Sequence, residues 1–226
     1  EDSSHAHGAT INDLKAGNLS DASAFSLYSS KIITTGEGGL ITTNNKKIYL
    51  KCSSIRSRGL NVTSNKEIYS ELGSNYRFTE IQALLGLMQL KNIDKFINHR
   101  LKIANIYRDI LANAIKEKKI RIIKESKNIL NPRWKYTVFL LNNQSREKIK
   151  KNMKKKMISI DWAYDPLVHL QPVMLKYFYN KSGMLSFSEK LAKTHINLPI
   201  HYGISIKQAK FIATIFLTLI LLNLFS

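Results

Sequence analysis

Lys31 is the residue whose setting best suits covalent chemistry. It directly follows a predicted strand, 24–28, and precedes a glycine-rich turn, Thr34-Thr35-Gly36-Glu37-Gly38-Gly39. A lysine that is held rigidly and partly desolvated has a lowered pKa, which makes its amine nucleophilic. From the residues alone a solvated surface lysine stays an open alternative, because the chain has 35 Lys and Arg residues.

Three blocks, in matching order and spacing, resemble the DegT/DnrJ/EryC1/StrS family of pyridoxal-phosphate (PLP) dependent sugar aminotransferases. The first is Glu1-Asp2-Ser3-Ser4-His5-Ala6-His7-Gly8-Ala9, the second runs from Ser26 through Lys31 to Gly39, and the third is Gly73-Ser74-Asn75-Tyr76-Arg77-Phe78-Thr79-Glu80-Ile81-Gln82-Ala83. Weaker likeness at 166–172 and 198–199 extends the resemblance to about residue 210.

The resemblance implies an α/β chain of aminotransferase fold type I. Residues 1–98 would form the C-terminal part of the large PLP-binding domain, and residues 99–226 a small C-terminal α/β domain. Family members carry a substantial segment ahead of the acidic block. Since the chain starts at Glu1 inside that block, we expect a longer parent protein and no independent activity of this piece.

The resemblance assigns four residues to the cofactor pyridoxal 5'-phosphate. Lys31 would hold it as a Schiff base, and Asp2 would pair with the pyridine nitrogen and keep it protonated. His5 would lie against the ring and its phenolic oxygen, and Ser26 would bind the phosphate. His7 has no matched role and is interpreted as structural, and no metal is expected.

The resemblance implies a fifth cofactor contact and two substrate contacts. Asn75 matches an asparagine that a neighbouring subunit contributes to the phosphate, which implies a homodimer. Arg77 and His169 are candidate substrate contacts, with structural roles as the open alternatives.

The implied reaction moves an amino group from a donor, usually glutamate in this family, to a keto group of a nucleotide-linked sugar. The Lys31 amine would act as general base and then general acid. Dehydratases of the family carry histidine at the lysine position, so Lys31 favours transamination. A PLP-binding relative that is inactive or of dehydratase type stays open.

The predicted elements alternate between strands and helices, as in a small α/β domain. A second strand is predicted at 40–43, followed by a helix that starts at Thr79-Glu80. Beyond them are predicted a helix at 94–116, a strand at 134–141, a helix at 145–157, a strand at 158–163 and a helix at 186–193.

The net charge of +19 raises a third function class, a basic protein that binds nucleic acid or membrane. The basic stretches at 116–124 and 148–156 lack interleaved aromatics and any nucleic-acid-binding motif. A compositional bias explains the charge more simply, so neither a specific nucleic acid nor a membrane is the expected partner.

The single cysteine, Cys52, excludes an internal disulfide and suits a cytoplasmic protein. The apolar ending, 211–226, has three interpretations: a buried terminal helix, an altered reading frame or a membrane anchor. It is shorter than the roughly 20 residues that a membrane-spanning helix needs.

Overall fold

A computed structural model describes residues 1–141, 145–179 and 181–222. The chain divides into two compact units, Glu1–Asn98 with Glu125–Trp134, and His99–Lys124 with Lys135–Ser226. Among the described residues, no helix is both long and apolar enough to cross a membrane.

The first unit combines short antiparallel strands with two helices. β3 pairs with β4, and β1 lies between β2 and the later strand β6. The elements are β1 (Thr10–Ile11), β2 (Leu14–Lys15), β3 (Ser23–Ser26), β4 (Gly39–Thr42), α1 (Lys46–Arg56), α2 (Glu80–Leu90) and β6 (Ile129–Leu130).

Both helices of the first unit begin at capping residues that the sequence supplies. Asn45 accepts hydrogen bonds from the first backbone amides of α1. Thr79 and Gln82 form a capping box at the start of α2, in which each side chain bonds the other residue's backbone amide. The predicted helix start at Thr79-Glu80 is therefore confirmed.

Helix α2 leaves large apolar side chains in the solvent. Ile81 is 83% exposed, Leu84 61% and Met88 59%. Apolar patches of this kind on a protein surface mark interaction sites. In the described part of the first unit, this face of α2 is therefore suited to packing against other protein residues.

The second unit is built on a three-stranded antiparallel sheet. The strand order is β5-β7-β8, and β7 alternates buried and half-buried residues. Its elements are α4 (Ala112–Lys116), β5 (Ile120–Ile122), β7 (Tyr136–Leu140), α5 (Arg146–Lys155), a 3-10 helix (Val168–Leu170), α6 (Pro172–Tyr177), α7 (Ser186–Thr194), β8 (His195–Leu198) and α8 (Ile206–Leu222). The helix α3 (Ile93–Ile110) contains the division between the units.

The core of the second unit lies between this sheet and its helices. Tyr107, Val138, Met153, Ile196 and Phe216 all have 0% exposure and belong to one buried cluster. The apolar ending contributes to it, since Ala209 to Ile220 of α8 include five buried residues. The structure therefore supports the buried-helix interpretation through residue 222, and 223–226 lie outside the described residues.

Two predicted elements are wrong in part. The helix predicted at 94–116 is divided at Leu111, whose ψ of 0° departs from helical values. The strand predicted at 158–163 is not formed. Ile158 and Ile160 are buried alternately as in a strand, but pairing is limited to an isolated bridge between Asp161 and Asn197.

Candidate functional site

The acidic block lies beside strand β3, which leads into the Lys31 loop. The Ser3 amide donates to the Ala24 carbonyl at 2.9 Å, and the Ala24 amide donates to the Glu1 carbonyl at 3.0 Å. These two bonds form a parallel bridge between Asp2 and Ala24. Two sequence blocks that are separated by about 20 residues are thereby fixed side by side.

Glu1 stabilises this arrangement through its side chain. Its carboxylate accepts hydrogen bonds from the Ser23 hydroxyl at 2.6 Å, the Ser3 hydroxyl at 2.9 Å and the Gly17 amide at 3.1 Å. The Ser23 hydroxyl is the main cause of a lowered Glu1 pKa. Sequence analysis did not single out Glu1, although its position beside Asp2 was the available signal.

The Lys31 loop is anchored on both sides of the lysine. Ile32 and Ile33 are 6% and 3% exposed, so the chain directly after Lys31 is buried. The Lys31 amide donates to the Tyr28 carbonyl at 2.9 Å, and the Thr35 amide donates to the Leu27 carbonyl at 3.0 Å. Lys31 is thus half-buried in a loop that backbone hydrogen bonds close, which suits the chemistry expected from the sequence.

Helix α2 holds the turn that follows Lys31. Gln89 accepts from the Thr34 amide at 3.1 Å and donates to the Thr34 carbonyl, while Gln82 donates to the Glu37 carbonyl at 3.0 Å. Gln82 and Gln89 are seven residues apart on one helix face. Sequence analysis missed this pair, and two polar residues at that spacing in an apolar helix were the signal.

Gly38 allows the turn to approach the third block. Its φ is +137°, and a Cβ atom there would lie 2.2 Å from the Phe78 ring. Only glycine fits a backbone in this conformation and at this distance. The glycine-rich turn therefore joins the second block to the third.

The Asp2 carboxyl is held in its charged form. Hydrogen bonds from the Ser4 side chain and backbone are the largest causes of its lowered pKa, and the charges of His5 and Lys31 lower the pKa further. The structure thus places His5 and Lys31 within electrostatic reach of Asp2.

His5 and Lys31 also share an aromatic neighbour, Trp134. The His5 ring is stacked on the indole with centroids 3.5 Å apart, and Lys31 Nζ lies 4.7 Å from the indole centroid. Ser26 is half-buried at the end of β3, and its hydroxyl oxygen accepts from the Tyr28 amide at 3.3 Å. Sequence analysis placed Trp134 only at the start of a strand.

His7, the second histidine of the acidic block, is buried with an exposure of 4%. Burial lowers its pKa to about 4, although the Ser26 backbone carbonyl acts in the opposite direction. That carbonyl does not reach hydrogen-bond geometry, and among the described residues neither ring nitrogen has a partner. The ring packs against Phe25 as a neutral group.

Asn75 and Arg77 lie together on the exposed third block. The Arg77 Nε donates to the Asn75 side-chain oxygen at 3.1 Å. Asn75 also forms an isolated antiparallel bridge with Ser57, just after α1. Both side chains are exposed.

His169 belongs to the second unit, where it pairs with Glu189. The His169 Nε2 lies 3.1 Å from the Glu189 carboxylate, which also accepts from the Gly183 and Leu185 amides. The Gly183 amide is the main cause of the lowered Glu189 pKa, about 2, with His169 second. These contacts connect the 3-10 helix that carries His169 to α7 and to the segment before α7.

Within the described ranges, no group of three or more His, Cys, Asp and Glu side chains could hold a metal ion.

Residues 1–216 match the model of the DegT/DnrJ/EryC1/StrS aminotransferase family. The chain belongs to this family. This aminotransferase-family chain is 32% identical to a GDP-perosamine synthase of Escherichia coli O157:H7 over 212 residues, which are 94% of the chain and 55% of that relative. It is 29% identical to a UDP-4-amino-4,6-dideoxy-N-acetyl-beta-L-altrosamine transaminase of Campylobacter jejuni, over 94% of the chain and 56% of that relative. The chain spans about half the length of the curated relatives it matches.

Solved structures of the family show the same fold. The aminotransferase PseC of Helicobacter pylori, involved in pseudoaminic acid biosynthesis, has a TM-score of 0.87 at 26% identity and covers 97% of this chain and 58% of its own. An aminotransferase from Psychrobacter cryohalolentis has a TM-score of 0.90 at 22% identity, over 100% of this chain and 62% of its own. The predictions of the family and of fold type I are confirmed.

Proposed function

We propose that this chain carries the lysine side of a PLP site in an enzyme that transfers an amino group to a nucleotide-linked sugar. The observation that carries the proposal is the pairing of the Asp2 segment with β3, which brings an ionised carboxylate near the Lys31 amine. Family membership and the names of the relatives supply the reaction and the substrate class.

The side chains present fit this cofactor. The lowered pKa of Asp2 keeps its carboxylate charged, as pairing with a protonated pyridine nitrogen requires. The Ser26 oxygen accepts from the Tyr28 amide, so its own proton can be donated to a phosphate oxygen. The closed loop presents Lys31 half-buried, as a covalent attachment point requires.

When bound, the cofactor supplies an electron sink for the carbanion formed at the substrate carbon. Asp2 would maintain the charge that makes this sink effective. The Lys31 amine would take a proton from the donor carbon as general base and would then give it to the cofactor carbon as general acid. His5 would orient the amine and the cofactor ring, and the Trp134 indole that it shares with Lys31 as a neighbour supports this role.

We also propose glutamate as the amino donor and a GDP- or UDP-linked keto-sugar as the acceptor. Arg77 and His169 are the proposed substrate contacts, and of these Arg77 is the exposed one. The single cysteine and a nucleotide-sugar substrate support a cytoplasmic location.

The complete protein is proposed to be a homodimer. The exposed position of Asn75 supports its reaching the phosphate of a neighbouring site. We assign residues 1–98 to the large domain and 99–226 to the small one, with 125–134 returning to the first unit. Ile81 and Leu84 are exposed on the apolar face of α2. We propose that this face packs against residues of the complete protein that lie outside this chain.

The test is a single-turnover assay in which the complete protein, loaded with PLP, converts L-glutamate to 2-oxoglutarate. Wild type and Lys47→Ala, an exposed lysine on α1, are expected to release 2-oxoglutarate, and Lys31→Ala is expected to release none. Addition of a GDP- or UDP-linked keto-sugar should then regenerate the PLP form of the cofactor, which is measured by its absorbance. Equal release from wild type and Lys31→Ala, or none from wild type, would overturn the proposal.

A further inference from the structure

Trp134 contacts both residues around which the proposed site is built. Its ring is stacked on His5 with an interplanar angle of 11°, and its face lies 4.7 Å from Lys31 Nζ. Its Nε1 donates a 2.7 Å hydrogen bond to the carbonyl of Ser30, the residue before Lys31. One side chain thus contacts the His5 ring, the Lys31 amine and the backbone that carries that amine.

The segment that carries Trp134 is itself anchored in the first unit. β6 pairs with β1, which directly follows the acidic block, and the Asn12 amide donates to the Asn128 carbonyl at 2.8 Å. Arg133, which is 7% exposed, forms an ion pair with Glu125. The indole is therefore placed by a fixed segment and not by a free loop end.

The chemistry of the indole suits each of the three contacts. Its electron-rich face attracts a cation, so it favours a Lys31 ammonium directed toward it. Its flat surface restricts the rotation of the stacked His5 ring. Its N–H is a donor only, and the Ser30 carbonyl satisfies it.

We propose that Trp134 is a positioning residue of the cofactor site, which orients the His5 ring and the Lys31 amine and fastens the Lys31 loop through Ser30. This inference rests on the proposed function for the chemistry of Lys31, but the placement of the indole is independent of it. Trp134→Phe keeps an aromatic face and removes the N–H donor, whereas Trp134→Leu removes both.

The first experiment tests the placement without any cofactor. The chain has two tryptophans, so Trp162→Phe leaves Trp134 as the sole indole emitter. An adjacent ammonium and a stacked imidazole both quench indole emission. In this background we expect His5→Ala and Lys31→Ala to raise the emission and Lys47→Ala to leave it unchanged. Emission that responds to none of these changes would overturn the placement of Trp134.

The second experiment tests the positioning role. PLP is added to the protein and its covalent attachment at Lys31 is measured over time after borohydride reduction. We expect Trp134→Leu to slow attachment about tenfold, because the Lys31 amine and the His5 ring lose their fixed orientation. Trp134→Phe should recover much of the rate, and Trp162→Leu should match wild type. The unfolding midpoint of each variant is measured in parallel. Trp134→Phe and Trp134→Leu should have the same midpoint.

The outcomes separate the two proposals. If wild type attaches PLP at Lys31 and Trp134→Leu attaches it as fast as Trp162→Leu, the positioning role is refuted and the proposed function stands. If wild type attaches none, the proposed function fails, and the emission experiment still decides whether Trp134 contacts His5 and Lys31.

Discussion

Replacement of His7 should change how the stability of the first unit depends on pH. The His7 ring is buried at 4% exposure, and burial lowers its pKa from 6.5 to about 4. Above 6.5 both the folded and the unfolded chain hold a neutral ring. As the pH falls below 6.5, the unfolded chain binds a proton that the folded chain does not, so stability decreases until the folded ring is protonated near 4.

The size of the effect follows from the shift in pKa. One unit corresponds to about 1.4 kcal/mol, so the drop from 6.5 to about 4 implies that about 3 kcal/mol of stability is lost over this interval. His7→Gln and His7→Phe both remove the titrating group. Each should reduce the pH dependence of the free energy of unfolding by this amount, whatever its effect on stability at neutral pH.

The assay is urea unfolding at a series of pH values between 4 and 7, with the difference between wild type and each variant taken at every pH. NMR titration of the histidine ring protons, assigned with His7→Gln, gives the native pKa directly. An unchanged pH slope in both variants, or a His7 ring that titrates near its ordinary value, would refute the reasoning.

Other predictions concern the core, the Glu189 cluster and the glycine-rich turn. Phe216→Ala should destabilise the second unit by about 3–5 kcal/mol, because Phe216 is fully buried, whereas Phe211→Ala, at 48% exposure, should have a small effect in the same thermal unfolding assay. Glu189→Gln should lower the free energy of unfolding at neutral pH and make it less sensitive to acid. The pKa of Glu189 is lowered from 4.5 to about 2, so in wild type the stability that the charged carboxylate contributes is lost as the pH falls through this range. Unfolding at low pH that is equally steep in both proteins would contradict this. Gly38→Ala should loosen the turn after Lys31, because the new Cβ would collide with Phe78, and faster proteolysis of that turn is the readout.

The blocks that the sequence singled out lie side by side in the structure, whereas the residues that brace them were not predicted. Asp2, His5, Ser26 and Lys31 lie in blocks whose spacing reflects local structure, and the structure brings the acidic block against β3. The residues that brace them depend on distant contacts. Trp134 reaches Ser30 across 104 positions, and Gln89 reaches Thr34 across 55.

The strand predicted at 158–163 is not formed, and the reason again involves contacts between residues that are distant in sequence. Ile158 and Ile160 are both buried, as alternate residues of a strand would be. Whether a strand forms is decided by backbone pairing, and Asp161 bridges Asn197 only once. The hydrophobic pattern of a segment indicates which of its side chains face the core. Backbone pairing also depends on partner strands that lie far along the chain.

The central claim is that Lys31 is the covalent attachment point for PLP, and borohydride reduction followed by peptide mass mapping tests it most directly. The account predicts that the pyridoxyl mass is found on the peptide that contains Lys31, that Lys31→Ala loses it, and that Lys47→Ala keeps it. A label spread over exposed lysines, or one that persists in Lys31→Ala, would contradict the account.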